Sequence, residues 1–306
     1  MIIPQSTAAI SPPFAGAGEL CALAAALCWG IATVYFTLAF RKHKAQDAVL
    51  IKNLGGALAL GLLAWFLGPE REGGIPTGSS LSWLIFSGFI GLGIGDWLFF
   101  VALAHIGVGR TIILTQTLPI ATAITAWFTH GEELSPAQWI GAVFIVLGGW
   151  VAESRRARGG RADTIGILAA LGAVVTFTIG NVTMTEGVRS SGVISSASIR
   201  LAAGALTVLL IAFFRGDGKR SLRVTVSGKS WRALLLPSAL GTWLGMALFA
   251  GGFKWAKQGV ASALAGAAPL ISIPFAVFML EEKPGVRGWM GAALVTVGVA
   301  VLGLAV

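Results

Sequence analysis

Polar and charged residues in this chain gather in short clusters, and the runs between them are almost wholly apolar. A bilayer core about 30 Å thick is crossed by about 20 apolar residues in a helix. Ten stretches reach that length: 18–40, 47–68, 81–104, 110–129, 135–153, 163–186, 193–214, 231–253, 259–280 and 285–305. The pattern predicts an all-α membrane protein with ten transmembrane helices. Residues before the first stretch hold no Lys or Arg, and the stretch is too long for a signal-peptide core, so it is predicted as a retained helix. Polar turns with a proline near the next helix start separate several spans, as in Glu132-Glu133-Leu134-Ser135-Pro136 and Glu281-Glu282-Lys283-Pro284.

Composition strengthens the membrane assignment. Apolar residues make up 56% of the chain and charged residues 11%, less than half the share of about 25% usual in soluble domains. The 42 glycines and 11 tryptophans fit membrane helices and their interfaces. The formal charge of +9 sits in short basic runs beside apolar segments, where anionic headgroups attract it. No nucleic-acid motif accompanies it, so the expected partners are the lipid bilayer and a small-molecule substrate, with no nucleic acid. Cys21 and Cys28 lie two turns apart on one predicted helix, too far for a disulfide.

Orientation follows from the Lys and Arg of the loops. The odd-numbered loops carry Arg41, Lys42, Lys44, Arg110, Arg155, Arg156, Arg158, Arg161, Arg215, Lys219, Arg220, Arg223, Lys229, Arg232, Lys283 and Arg287. The even-numbered loops carry only Arg71, Arg189, Lys254 and Lys257. Odd loops are therefore expected in the cytoplasm and both termini outside.

The chain also repeats itself. At an offset of 150 residues, Gly91, Gly95, Pro119, Glu132, Trp139, Gly141 and Gly148 coincide with Gly241, Gly245, Pro269, Glu282, Trp289, Gly291 and Gly298. Spans 1–2 match spans 6–7 more weakly, pairing Gly18 with Gly166 and Asn53 with Arg200. The expected organisation is an N-terminal tail (1–17), a five-helix repeat (18–153), a basic linker (154–162) and a second five-helix repeat (163–306). An odd number of spans per copy sends the second copy across the membrane in the opposite direction. Such inverted repeats characterise secondary transporters, with substrate held near the midplane between the halves.

Leu27-Cys28-Trp29-Gly30, Leu118-Pro119-Ile120 and the run Gly131-Glu132-Glu133-Leu134…Trp139-Ile140-Gly141…Leu147-Gly148-Gly149 resemble the EamA family of the drug/metabolite transporter superfamily. The second copy of the pattern runs through Pro269-Leu270, Leu280-Glu281-Glu282, Trp289-Met290-Gly291 and Val297-Gly298-Val299. Within that family the chain is most similar to bacterial exporters of aromatic amino acids, the YddG type. The resemblance implies an inner-membrane, multi-pass exporter of aromatic and other neutral amino acids working by alternating access. Exporters of drugs or other metabolites remain alternatives, as does a membrane assembly or receptor subunit that transports nothing.

Asp96 is the main candidate for chemistry, because an ionisable group at bilayer depth faces a cavity or a partner. It is expected to couple proton movement or to meet a substrate ammonium, with a static basic partner as the structural alternative. Lys52 and Arg200 are expected to snorkel to the headgroups. Thr111, Thr115, Thr122, Thr125 and Thr129 recur at helical spacing, as do Thr178, Asn181 and Thr185. With Trp29, Tyr35, Trp97 and Trp243 they are candidates to line a partly polar, aromatic cavity. Pro119 and Pro269 each remove an amide donor in mid-span and are candidate hinges. His43, His105 and His130 are scattered, with no metal-ligand spacing or Walker A motif. Neither an enzyme nor a metal or other cofactor is expected.

Overall fold

A computed structural model describes residues 12–40, 45–68, 74–153, 163–227, 231–280 and 285–305, and among them every regular element is helical. Of the sequence features above, the linker 154–162, the basic residues at 41, 42, 44, 71 and 229, and Glu281 to Pro284 lie outside the described residues. Among the described residues nine helical segments are long and apolar enough to cross a membrane, and Pro136–Val151 is a shorter apolar helix. The described residues are those of an all-helical, multi-pass membrane protein.

The first half begins with α1 (Ala17–Phe40) and α2 (Ala45–Leu67). The next span starts as α3 (Gly78–Ser87), widens into a π-helical stretch, π1 (Gly88–Gly95), and continues as α4 (Asp96–Thr115). Then come α5 (Leu118–His130) and α6 (Pro136–Glu153). The second half opens with α7 (Thr164–Val188) and α8 (Val193–Phe214). A short helix, α9 (Gly218–Val226), precedes a continuous run of α10 (Trp231–Pro237), a second π-helical stretch, π2 (Ser238–Leu244), and α11 (Gly245–Trp255). The chain ends with α12 (Gln258–Ala265), α13 (Pro269–Leu280) and α14 (Gly285–Leu304).

Two expectations are refined here. Arg110, read at the third loop, is helical within α4, which runs to Thr115, while the membrane-crossing stretches still divide there, Gly78–Ile106 from Arg110–His130. The break falls at Gln116-Thr117 because Pro119 crowds the carbonyl four residues earlier, that of Thr115. The same geometry ends α12 at Ala265, four residues before Pro269. Each proline therefore opens a new half-helix, where its missing N–H costs no intrahelical bond. The second concerns 215–232, read as loop, which contains α9. Asp47 docks that helix, accepting from Arg220 Nη2 and Ser221 Oγ at 2.8 Å each.

Helix ends are well finished. Gly131 takes φ +65° after α5, and the Glu132 amide bonds back to the Ala126 carbonyl at 3.4 Å, which settles orphan carbonyls. Asp163 caps α7, accepting from the Ile165 amide at 3.1 Å. It also meets His105 Nδ1 at 2.6 Å. That bond to His105, then the amide, holds the Asp163 carboxyl below the usual carboxylate range.

Small residues set the packing. Gly91 and Gly180 bring π1 against α7 so closely that a Cβ on Gly180 would stand 2.8 Å from Gly91 Cα. Further along, Ser80 Oγ donates to the Gly187 carbonyl, and a Cβ on Gly166 would meet Ile106 Cγ2 at 2.6 Å, so the two helices run antiparallel. In the second half, Gly245 lies on Trp29 and Gly251 on Cys21, so π2 and α11 run antiparallel to α1. On α6 and α14, Gly141 faces the Gly298 carbonyl and Gly148 the Gly291 carbonyl, again antiparallel. In lipid, such close backbone approach and its van der Waals contacts replace the hydrophobic drive between helices.

Candidate functional site

The two helix breaks meet. Gln116, at the end of α4, donates its Nε2 to the Gly266 carbonyl in the α12–α13 turn at 2.8 Å. A Cβ on Gly266 would come within 3.2 Å of Pro119 Cγ. The turns before Pro119 and Pro269 are thus packed together in the interior, and a carbonyl freed by one break is answered by a side chain from the other.

Around this junction lie buried polar atoms without hydrogen-bond partners among the described residues. Thr122 Oγ1 on α5, Thr178 Oγ1 and Asn181 Nδ2 on α7, and both amide atoms of Gln258 on α12 are of this kind. Leaving such groups buried and unpaired costs about 1–3 kcal/mol each, which makes them candidate contacts for a bound polar molecule. The other threonines of the α4–α5 stripe are satisfied within their own helix. Thr115 donates to the Thr111 carbonyl, Thr125 to Ala121 and Thr129 to Thr125, at 2.8–3.0 Å.

The aromatic candidates divide. Trp29 Nε1 donates to the Gly241 carbonyl at 2.8 Å and its ring packs on Phe249 with centroids 5.0 Å apart. The π-helical winding of π2 leaves a carbonyl there to be taken up. Trp243 Nε1 reaches the Lys52 carbonyl at 3.3 Å. Trp29 and Trp243 are thereby joined through π2 to α2. Tyr35 lies beside Phe275 of α13, with centroids 5.9 Å apart. Trp97, by contrast, carries the Arg215 guanidinium 5.9 Å from its ring centre, at the end of α8.

The membrane-embedded charges are where the structure departs most from the expectation of snorkelling. Lys52 Nζ bonds Asp96 Oδ2 at 2.7 Å, with both side chains 13% exposed, and reaches Asn53 Oδ1 at 3.1 Å. Asn53 in turn donates to the Leu92 carbonyl of π1. Arg200 is 1% exposed. Its Nε donates to Ser87 Oγ at 2.8 Å and its Nη1 lies 2.6 Å from Met184 Sδ. Both cations turn inward to partners on neighbouring helices, Lys52 to Asp96 at the start of α4 and Arg200 to Ser87 and Met184. Asp96 is thus paired with a basic residue of α2 in this structure.

At one end of the molecule polar contacts tie its two halves together. His130 Nε2 meets Glu186 Oε1 at 2.6 Å. Arg189 Nη2 lies 3.6 Å from Glu132 Oε1. Glu132 Oε2 accepts the Gln258 amide at 2.7 Å, at the start of α12 where a helix N-terminus favours a carboxylate. Lys257 Nζ donates to the Glu133 carbonyl at 2.6 Å. These residues belong to the loops after α5, after α7 and before α12. The sequence offered Glu132 only as a helix-end residue, and it does take that role, on a helix of the other half. Its counterpart Glu282 is outside the described residues.

The sequence matches the EamA-like transporter family over residues 16–152 and again over 164–304. A relative from Bacillus subtilis (strain 168), the uncharacterized transporter YwfM, is 26% identical over 302 residues, spanning 94% of each chain. A solved crystal structure superposes with a TM-score of 0.75 at 21% identity, covering 94% of this chain and 96% of its own. At that identity the likeness is one of fold.

Proposed function

Because this chain belongs to the EamA-like transporter family, we propose that it is a secondary transporter exporting aromatic and other neutral amino acids by alternating access. The observation that carries this is the pairing about the helix breaks. Gln116 touches Gly266, the position 150 residues on. The contact of Gly141 with Gly298 is matched by that of Gly291 with Gly148, its image at the same offset. The antiparallel contact of Gly91 with Gly180 has its counterpart between Gly241 and Ala32. A two-fold axis in the membrane plane accounts for all of these, and supports two inverted five-helix repeats over 18–153 and 163–306. Substrate in such proteins sits at the repeat interface beside discontinuous helices.

The ligand is read from what surrounds the junction. Thr122, Thr178 and Asn181 offer unpaired polar atoms. Trp29, Tyr35 and Trp243 bring aromatic surface from the helices beside it, which suits an amino acid with an apolar or aromatic side chain. Asp96 is the coupling group: protonating it releases Lys52 and frees α2 from α4. The tied end belongs to the even-numbered loops, which the charge distribution puts outside the bacterial inner membrane. The structure then corresponds to a state closed to the outside, with both termini on that outer face.

Counterflow in proteoliposomes tests the proposal. Vesicles loaded with one neutral amino acid are expected to accumulate labelled tryptophan or phenylalanine without ATP. Movement of a drug or another metabolite, with no amino acid moving above protein-free vesicles, would refute the substrate class.

A further inference from the structure

The interior of the molecule holds more positive than negative charge where π1, α7 and α8 meet. Lys52 and Asp96 neutralise each other at 2.7 Å. Arg200 has no acid in contact, and Asp96, already paired with Lys52, acts on it only from a longer distance. The bonds of Arg200 go to a hydroxyl and a thioether, and no described carboxylate lies within salt-bridge distance. It begins the third turn of α8, roughly 10 Å from the helix start at 1.5 Å per residue. A guanidinium in such a place is normally paired.

A second observation comes from α7. Asn181 is 5% exposed, and its amide Nδ2 has no hydrogen-bond partner. It stands one turn before Met184, the residue whose sulfur receives Arg200 Nη1, so both share a helix face. The other end of the guanidinium is close too. Arg200 Nη2 lies 3.8 Å from the place a Cβ would take on Gly91, and that place is 3.4 Å from Cα of Gly180, the neighbour of Asn181. Gly91 and Gly180 pack backbone against backbone here, which brings π1 and the guanidinium beside it close to this stretch of α7. Two donor groups from two helices therefore converge on one region, with only a weak sulfur acceptor between them.

We propose that Arg200 and Asn181 form a subsite for the carboxylate of the transported molecule. A planar guanidinium with an amide beside it suits the two oxygens of a carboxylate, and binding would supply the counter-charge this region lacks. The subsite deepens the amino-acid assignment made above and stands on separate residues. It requires a carboxylate in the substrate and sets no requirement for an ammonium group.

Binding to the purified full-length protein tests this with three probes: phenylalanine, 3-phenylpropionate, which lacks the ammonium, and phenethylamine, which lacks the carboxylate. The expected result is binding of the first two and not the third. A hydrogen bond to a charged group is strong enough that Asn181→Leu should weaken phenylalanine binding about tenfold, and Arg200→Gln about 100-fold. Arg200→Lys should recover part of the loss, because it restores charge without the fork. If Arg200→Gln does not fold, Asn181→Leu and the three-probe comparison still decide. Phenethylamine binding as well as phenylalanine, or no change in affinity for Asn181→Leu, would overturn the subsite. If amino acids fail but another carboxylate, such as 3-phenylpropionate or lactate, binds in an Asn181-dependent way, the amino-acid assignment falls and the subsite stands. Binding of no carboxylate at all overturns the subsite.

Discussion

Replacing Asp96 by Asn leaves the Lys52 ammonium inside the membrane with neutral amide oxygens alone, that of Asn53 at 3.1 Å and that of the substituted side chain, where it had a carboxylate at 2.7 Å. Breaking a buried ion pair by removing one partner costs about 3–5 kcal/mol, most of it the penalty of the stranded charge. Both side chains here keep 13% exposure, which puts the expected loss at the lower end, about 3 kcal/mol. At roughly 2 °C per kcal/mol for a chain this long, Asp96→Asn should lower the Tm in detergent by about 6 °C. Removing both charges, in Lys52→Met with Asp96→Asn, should return most of that loss, since the uncharged pair strands nothing. Transport separates the roles further. With Asp96 as the coupling group, uptake driven by a pH gradient falls sharply in the stability-corrected single variant, while substrate exchange survives. A single variant within about 1 °C of wild type would show that the pair carries no such energy. A double variant no more stable than the single would show that the two residues do not act together.

Gly298→Val should destabilise by about 1–3 kcal/mol, read as a Tm shift, because its Cβ would stand 2.7 Å from the Gly141 carbonyl and 2.9 Å from the Ile145 amide. Glu186→Gln, by weakening the bond to His130, should raise the rate at which a cysteine at Thr122 is labelled from the even-loop side; an unchanged rate would show that this bond does not hold that end closed. Gln116→Leu should slow substrate exchange while changing the Tm by less than Asp96→Asn, since it removes one neutral bond worth about 1 kcal/mol. In a variant lacking Cys21 and Cys28, a cysteine on α9 should react with impermeant reagent only from the cytoplasm and one at Ser135 only from outside; the reverse pattern would overturn the orientation.

The spans were legible in the sequence because a bilayer imposes length and apolarity on each of them, whatever their packing. The breaks were legible too, since Pro119 and Pro269 act on their own helices, and only their exact positions needed coordinates. Arg110 shows what local reading does give: the arginine beside glycines marks where one span ends and the next begins, though the backbone stays helical through it. The fates of Lys52 and Arg200 were not legible. Whether a long basic side chain turns outward or inward depends on a partner 44 residues away for Lys52 and 113 for Arg200. The π-helical stretches were hidden for a similar reason, because glycines carry no side-chain pattern that records how the backbone winds. For α9 a signal existed, in basic residues at 219, 220 and 223 between small polar ones, but its length falls below that of any span.

The contacts of α1 have a consequence for the order in which the protein is made. Its main partners are π2, α11, α12 and α13, all from residues beyond 230, and the bond from Trp29 to Gly241 spans 212 positions. Ribosomes add about 5–20 residues per second, so α1 waits roughly 10–40 s for the carbonyl that takes its indole proton. During that interval α1 has lipid where it will later have protein, and Gly18 and Gly30 are open notches on its surface. Anything that surveys nascent membrane proteins meets this helix in its least finished form. Substitutions on its inner face should therefore reduce yield in cells more than they reduce the stability of the protein that survives.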